Sequence, residues 1–427
     1  MRLTRAIVLF VVFFAFNSAR GEDFLVKNVR VFDGERIIAR TSVLVRDGKI
    51  AAVAPGLSAP KGVRTINGAG QTLLPGLIDA HTHLRFRRAL EESLVFGVTT
   101  DLSMLMNPQR AAEQKAEQKA GKATDRADLF SSGFCATAPG GHGTEYGFKI
   151  PTLTTPAEAQ GWVDDRIAEG SDYIKIIYEN GGDTGKGGRP SIDKATLQAL
   201  VVAAHARGKL AVVHIHSEQQ AIDAIEANAD GLAHTFLFGG DTVDPTFATL
   251  MATHHAFIVP TFTVLHSVCN LGPGQRILSD PKLSPYLLPD DVVQLGKNIN
   301  RAPASNCKFA MSVIPPLVAA HVPILAGTDL GNLGTAPGAS LHGELEYLVE
   351  AGLTAPQALT AATSAPAAAF HLTDRGRIAP GLRADLLLVK GDPTSDIKAT
   401  RDIVAVWKGG VLLDREAWLT RAKAAAK

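Results

Sequence analysis

Cysteine is scarce in this chain: three in 427 residues, at positions 135, 269 and 307. That is too few for a disulfide-built scaffold, and their spacing fits no zinc finger. Charge of one sign is scarce as well. Forty-three Lys and Arg stand against 42 Asp and Glu, a formal net charge of +1. The balance excludes a nucleic-acid surface driven by net charge and an acidic disordered chain. Long apolar runs are missing beyond the N-terminus, so no later segment reads as a membrane span. What remains, 46% apolar and 20% charged residues, is ordinary globular composition. The length favours a large domain plus a smaller one.

The one strongly apolar run is Ala6 to Phe16, behind Arg2 and Arg5. It is too short to cross a bilayer and right for the central region of a secretory signal. Ala19 and Gly21 supply small residues before Glu22. The expectation is a signal peptide over 1–21 and an exported protein, periplasmic or secreted, with no membrane attachment after cleavage. Export permits a disulfide, and Cys269 and Cys307 are candidates, which would leave Cys135 free.

Residues 24–75 alternate apolar and polar positions between Asp-Gly and Pro-Gly turns, an all-β pattern. The period changes at residue 76. Eight short apolar runs follow: GLIDAHTHL, VTTDLSM, ADLFSSGF, DYIKIIY, AVVHIH, GLAHT, FIVPTF and PILAGTD. Helical patterns such as EAQGWVDDRIAEG and KATLQALVVAAHARG lie between several of them. Eight β-α units predict a (β/α)8 TIM barrel over 76–372. The β pattern returns near the end in GRIAPGLRADLLLVKGD and IVAVWKGGVLLD. Residues 22–75 and 373–427 are therefore expected to form one small composite β-sandwich.

Three loops follow the third, fourth and seventh runs: Cys135 to Pro156, Asn180 to Ser191, and about sixty residues before PILAGTD. The last is long enough to be a lid. MNPQRAAEQKAEQKAGKATDRAD reads as an exposed surface helix. GGDTGKGG imitates a phosphate loop, but Gly follows Lys186 where Ser or Thr is required, so nucleotide binding is rejected.

The chemistry sits where apolar runs end in polar residues. His81 and His83 lie two apart, so on a strand both point to one face and can grip one metal. Two core or surface histidines would give the same pattern. Lys175 stands inside DYIKIIY, on the face of Tyr173 and Ile177. A buried ammonium is costly unless neutralised or paired. Its free amine could add carbon dioxide and become a bridging carbamate, or the side chain could reach a rim carboxylate. His214 and His216 share a face of the next run, His234 ends GLAHT, and Asp329 ends PILAGTD. Polar residues closing five separate strands point to a metal site rather than to accidental core polars. Imidazole and carboxylate oxygens suit two divalent ions, zinc first, manganese or similar next. His81, His83 and Asp329 would hold one, His214 and His234 the other, with carbamylated Lys175 between them. A hydroxide between the metals would attack, and Asp329 would carry its proton to the leaving group.

LLPGLIDAHTHL, the lysine of YIKI, VVHIHS, GLAHT, LAGTD and GRIAPGLRADLLLVKGDP together resemble the metal-dependent amidohydrolase superfamily, within it the imidazolonepropionase and Xaa-Pro dipeptidase branch. The resemblance covers roughly residues 24–415 and implies that the matching histidines, lysine and aspartate are metal ligands. It also implies a substrate-facing role for His142 in APGGHGTEYG. YENGGDTGKGGRP departs from the branch after the lysine. Tyr178 at the strand mouth and His216 are further substrate-binding candidates, and His266 and His342 are candidates for the pocket rim. The expected activity is hydrolysis of an amide bond: a dipeptide, an N-acyl amino acid or an aryl amide of an amino acid. The alternative is a cyclic amide, lactone or phosphoester. The expected partners are a small-molecule amide and, in one reading, further copies of the chain, with no nucleic acid.

Overall fold

The computed structural model describes residues 21–147, 149–179, 188–239 and 242–425. The expected signal segment, apart from Gly21, and most of the loop Asn180 to Ser191 lie outside the described residues. Among those described, no helix is long and apolar enough to cross a membrane.

The N-terminal strands are β1 (Phe24–Phe32), β2 (Ile37–Arg46), β3 (Lys49–Ala54), β4 (Arg64–Asn67) and β5 (Gln71–Pro75). Seven strands follow: β6 (Leu77–Thr82), β7 (Val98–Ser103), β8 (Asp128–Ser131), β9 (Ile174–Ile177), β10 (Ala211–His214), β11 (Gly231–Ala233) and β12 (Phe257–Val259). The C-terminal strands are β13 (Leu386–Lys390), β14 (Ile403–Lys408) and β15 (Val411–Leu412). Helices between the middle strands include α1 (Arg87–Val95), α2 (Pro108–Lys119), α3 (Ala159–Ala168), α4 (Lys194–Ala206), α5 (Glu218–Glu226), α6 (Phe247–Thr253) and α7 (Phe262–Val268).

Both ends of the chain meet in a single eight-stranded sheet, ordered β15-β14-β13-β5-β1-β2-β3 with β4 beside β1. Among the described residues, these strands join in one hydrogen-bonded sheet and not in the separate pair expected of a sandwich. β5 explains why: it pairs with β1 on one side and with β13 on the other, stitching the two ends into one ladder. Its alternate residues serve two cores. Leu73 joins the sheet's own cluster with Val31, Val43 and Trp407, while Leu74 joins the large core built with the helices.

The middle strands form two parallel sheets, β6-β7-β8 and β9-β10-β11-β12. Seven of the eight expected strands are thus present, but no continuous eight-stranded barrel ladder runs through the described residues. Two seams depart from regular pairing. At one, Ala136 N–H donates to Lys175 O (2.8 Å) and Ile177 N–H to Ala136 O (2.9 Å). At the other, residues 323–330 form no strand, although Leu325 N–H donates to Ile258 O and His83 N–H to Leu330 O. Main-chain bonds also join Ala80 N–H to Ala326 O and Asp329 N–H to His81 O, both at 2.8 Å, and a side chain adds to them. The Asp79 carboxylate accepts from Thr328 N–H (3.0 Å), Thr328 Oγ1 (2.6 Å) and His81 N–H (3.1 Å). Gly327 lies so close to β6 that an added Cβ would stand 2.8 Å from His81 N. Any larger residue would push this segment away from the histidine.

The expected lid is a helical layer. Cys269, at the end of α7, is disulfide-bonded to Cys307 in the helix Ala304–Ser312, and Cys135 is free and buried. Ile277, Leu283, Leu287 and Leu295 of this layer pack with Val95, Phe96 and Trp418. That burial makes the insertion part of the core.

Candidate metal centre

β6 contains one residue more than β7 between Asp79 and Thr82, a bulge. The extra residue shifts the side-chain phase, and both His81 and His83 reach Asp329. Nε2 of His83 lies 2.8 Å and Nε2 of His81 3.4 Å from Asp329 Oδ1. His214 ends β10 opposite Ile177 of β9 and Ala233 of β11. His234 follows β11, and its ring lies 4.9 Å from that of His81 and 4.6 Å from that of His214. The four histidines and Asp329 therefore stand together at the C-terminal ends of the strands.

Two of these residues occupy backbone conformations that L-residues rarely adopt: φ is 77° at His234 and 55° at Asp329. Thr261, also left-handed at 55°, explains the aim of His234. Its hydroxyl donates to Pro260 O (2.7 Å), so Oγ1 accepts from Nδ1–H of His234 at 2.6 Å. Nε2 of His234 then carries its lone pair into the cluster.

Lys175 is buried on β9, and its Nζ has no hydrogen-bond partner among the described residues. Burial pushes its pKa down to about 7, against a smaller upward pull from Asp329. Burial also lowers His81 and His234 well below the ordinary imidazole value and His214 to about 3, so all three are neutral donors at pH 7. Burial alone would raise Asp329, but the neighbouring His81 and His83 hold it well below the usual carboxylate range.

Neither nitrogen of His81 finds a hydrogen-bond partner among the described residues. Orphaned buried polar atoms are costly, and here they converge on one point with a carboxylate. Neutral imidazoles with an ionised carboxylate are the donor set of a divalent ion. His81, His234 and Asp329 bring one ligand atom each within 4.8 Å of one another, and so do His142, Glu179 and His214. His234 stands within reach of both groups, its ligand atom near those of His81 and Asp329 and its ring beside that of His214, and His214 also meets a carboxylate absent from the expected set.

That carboxylate is Glu179. It accepts from His142 Nδ1 at 2.6 Å and lies 3.2 Å from His214 Nε2 and 3.1 Å from His216 Nδ1. Burial works against its ionisation, but the three histidines outweigh that and hold it far below the usual range. The signal was available: Tyr173, Lys175, Ile177 and Glu179 alternate along one face of the strand.

Tyr178 is a correction by the same alternation. With Ile174 and Ile176 it faces the helices, and its hydroxyl donates to Asp223 of α5 at 3.0 Å. Its hydroxyl is turned away from the histidine cluster, and only its backbone reaches a member, N–H donating to His214 O at 3.1 Å. His142 and His216 do join the cluster, through Glu179. His266 stacks on Tyr347 and bonds Phe262 O, and His342 bonds Thr400 and Phe96 O, so both serve the helical layer instead of a pocket rim.

A cavity of about 270 Å³ opens beside His83. Tyr146 borders it and bonds His142 Nε2 at 3.0 Å, linking cavity and cluster. None of its lining comes from the helical insertion.

The model of the amidohydrolase family matches residues 72–413. Imidazolonepropionase of Cereibacter sphaeroides is 25% identical over 395 residues, covering 86% of this chain and 92% of that protein. Higher identities are local. L-hydantoinase of Paenarthrobacter aurescens is 34% identical over 92 residues, so the chain spans only 20% of that relative. Among solved structures, a Xaa-Pro dipeptidase with bound methionine superposes with a TM-score of 0.73 at 24% identity, over 92% of this chain and 99% of that one. Ochratoxinase of A. niger gives 0.71 at 19% identity, over 92% and 96%. These structural likenesses speak for the fold. The family match spans most of the chain: this protein belongs to the amidohydrolase family and is a hydrolase acting on C–N bonds.

Proposed function

We propose that the protein is a metal-dependent hydrolase of a linear amide: a dipeptide, an N-acyl amino acid or an aryl amide of an amino acid. The observation that carries this reading is the convergence of neutral His81, His214 and His234, ionised Asp329 and unpartnered Lys175 at the ends of strands we read as a (β/α)8 barrel. Divalent ions bound there, zinc or manganese, would supply Lewis-acid polarisation of the amide carbonyl and acidify water. His81, His83 and Asp329 are the proposed holders of one ion, and His214 and His234 of the other.

Lys175 lies within electrostatic reach of His81, His234 and Asp329. Its depressed pKa leaves a free amine near neutral pH, which can bond to the carbon of carbon dioxide and release one proton. The resulting carbamate replaces a buried cation with a bidentate anion, and that exchange removes the charge conflict with the ions. Asp329 accepts a proton from the attacking water and returns it to the leaving nitrogen. His142, aligned by Glu179 and Tyr146, and His216 face the substrate.

The local likeness to L-hydantoinase motivates a second reading, opening of a cyclic amide by the same centre. For the compartment, the disulfide Cys269–Cys307 supports export.

The test is a panel of dipeptides, N-acyl amino acids, hydantoins and lactones, incubated with metal-loaded enzyme with and without chelator. Chelator-sensitive release of a free amino acid is expected. Turnover of cyclic amides alone would move the assignment to the second reading, and hydrolysis that ignores the chelator would end both.

A further inference from the structure

α2 was expected to be a purely solvated helix. Most of it is exposed, but its first turn is not idle. Arg110 lies over the cavity beside His83, its guanidinium 5.6 Å from the centre of the Phe86 ring. Nη1 of Arg110 donates to Arg85 O at 2.7 Å, which fixes the side chain across the loop after β6. Arg85 lines the same cavity. Among the described residues, neither guanidinium has a carboxylate within ion-pairing distance, and no Asp or Glu lines the cavity.

Several other polar groups in the lining are engaged, although His83 Nδ1 has no hydrogen-bond partner among the described residues. Asn107 Oδ1 caps α2 by accepting from Gln109 N–H and Arg110 N–H. Asn332 Nδ2 donates to Asp329 O, and Tyr146 bonds His142. Leu84, Leu105 and Met106 supply apolar wall. Phe86 is 65% exposed, with the Arg110 guanidinium on one side of its ring. The cavity therefore combines two unneutralised cations, the positive end of a 12-residue helix and an aromatic face. An ionised carboxylate attached to an apolar or aryl group satisfies all three. A neutral ligand would gain no ion pair from either guanidinium.

We infer that this cavity is the specificity subsite of the proposed amidase, with Arg110 binding a substrate carboxylate and Phe86 stacking on the adjoining apolar or aryl group. The inference rests on the amide-hydrolase reading for its substrate but not for its geometry. Arg110 touches no reacting atom and acts in binding. The first turn of α2 brings it to the mouth of the strand that carries His81 and His83.

The experiment compares each acid with its carboxamide. N-benzoyl and N-phenylacetyl amino acids and their amides are assayed for hydrolysis by metal-loaded wild type, Arg110→Met and Phe86→Ala. The same ligands are titrated calorimetrically into an Asp329→Asn background. Wild type is expected to favour the acid over the amide by about 10- to 100-fold, a charge-assisted bond's worth. Arg110→Met should remove most of that preference through KM, with kcat little changed. Phe86→Ala should weaken acid and amide alike. Selective binding of the acid without hydrolysis would uphold the subsite and sink the amidase reading. Hydrolysis with no acid preference, or a preference that survives Arg110→Met, would overturn the subsite and leave the amidase reading intact. Neither binding nor hydrolysis would overturn both.

Discussion

Two clusters of buried charge lie at opposite ends of the same strands, and they are built on opposite principles. At the N-terminal end, Asp128 opens β8 and meets Arg375 Nη1 at 2.7 Å, Lys408 Nζ at 2.8 Å and Arg383 Nη1 at 2.8 Å. Lys408 also reaches Asp385 at 3.2 Å. Every charge there has a partner, and the partners come from β14 and the approach to β13. That cluster fastens the shared sheet to the middle strands. At the C-terminal end, among the described residues, Lys175 Nζ and both nitrogens of His81 make no hydrogen bond, and His81 Nε2 meets Asp329 Oδ1 only at 3.4 Å. A fold gains nothing from orphaned polar groups. The contrast separates a structural charge cluster from one that awaits a ligand.

Substitutions at the two ends should break in different ways. The largest effect is expected from Asp329→Asn. It should cost about 10²- to 10⁴-fold in kcat while the thermal midpoint stays close to wild type. Near-normal turnover would show that another base moves the proton. Lys175→Ala should lose about a hundredfold or more, with partial rescue by formate or acetate, measured as turnover against added acid. Wild-type turnover without added acid would rule out the carbamate.

Asp128→Asn should do the reverse. It removes the carboxylate shared by three cations, which keep only Asp374 and Asp385, so denaturant unfolding should report a loss of about 3–5 kcal/mol, with kcat per folded molecule unchanged. A loss of kcat in fully folded protein would erase the distinction between the ends. pH sharpens the same point. Burial would raise the Asp128 carboxyl, but Lys408, Arg383 and Arg375 hold it down at about 2 against an ordinary 3.8. A carboxyl depressed in the folded state contributes stability that is fully present above its unfolded value. That contribution is lost as pH falls from about 4 towards 2. Acid titration followed by circular dichroism should therefore be steeper over that range in wild type than in Asp128→Asn. The smallest effect is expected from Tyr178→Phe. It removes one hydrogen bond to Asp223, which keeps Lys194, for about 0.5–1.5 kcal/mol of stability. Turnover should stay within about twofold.

The strands were legible because each is a short apolar run that ends on a polar residue, and the site lies at those polar ends. His81, His83, Lys175, His214, His234 and Asp329 were all visible in this way, and the structure gathers them. Glu179 was missed although the alternation that identified Lys175 reaches it two residues on. The same alternation, carried through, turns Tyr178 outward. Arg110 was hidden for a different reason. Its helix is exposed along almost its whole length, and only the spatial meeting of its first turn with the loop after β6 gives the side chain a role. The last barrel segment was read as a strand from its apolar run. It forms no regular strand, although main-chain bonds, the Asp79 carboxylate and the close approach of Gly327 hold it against β6. The two ends of the chain were correctly grouped as β structure. Which edges would pair depended on β5, whose short sequence does not encode its neighbours.

The most direct test of the account is to titrate metal-free protein with Zn²⁺, following bound metal per chain and amide hydrolysis together. The account predicts about two equivalents bound, with turnover rising as the sites fill. Fewer than one equivalent under metal-replete conditions, or turnover indifferent to metal, would contradict it.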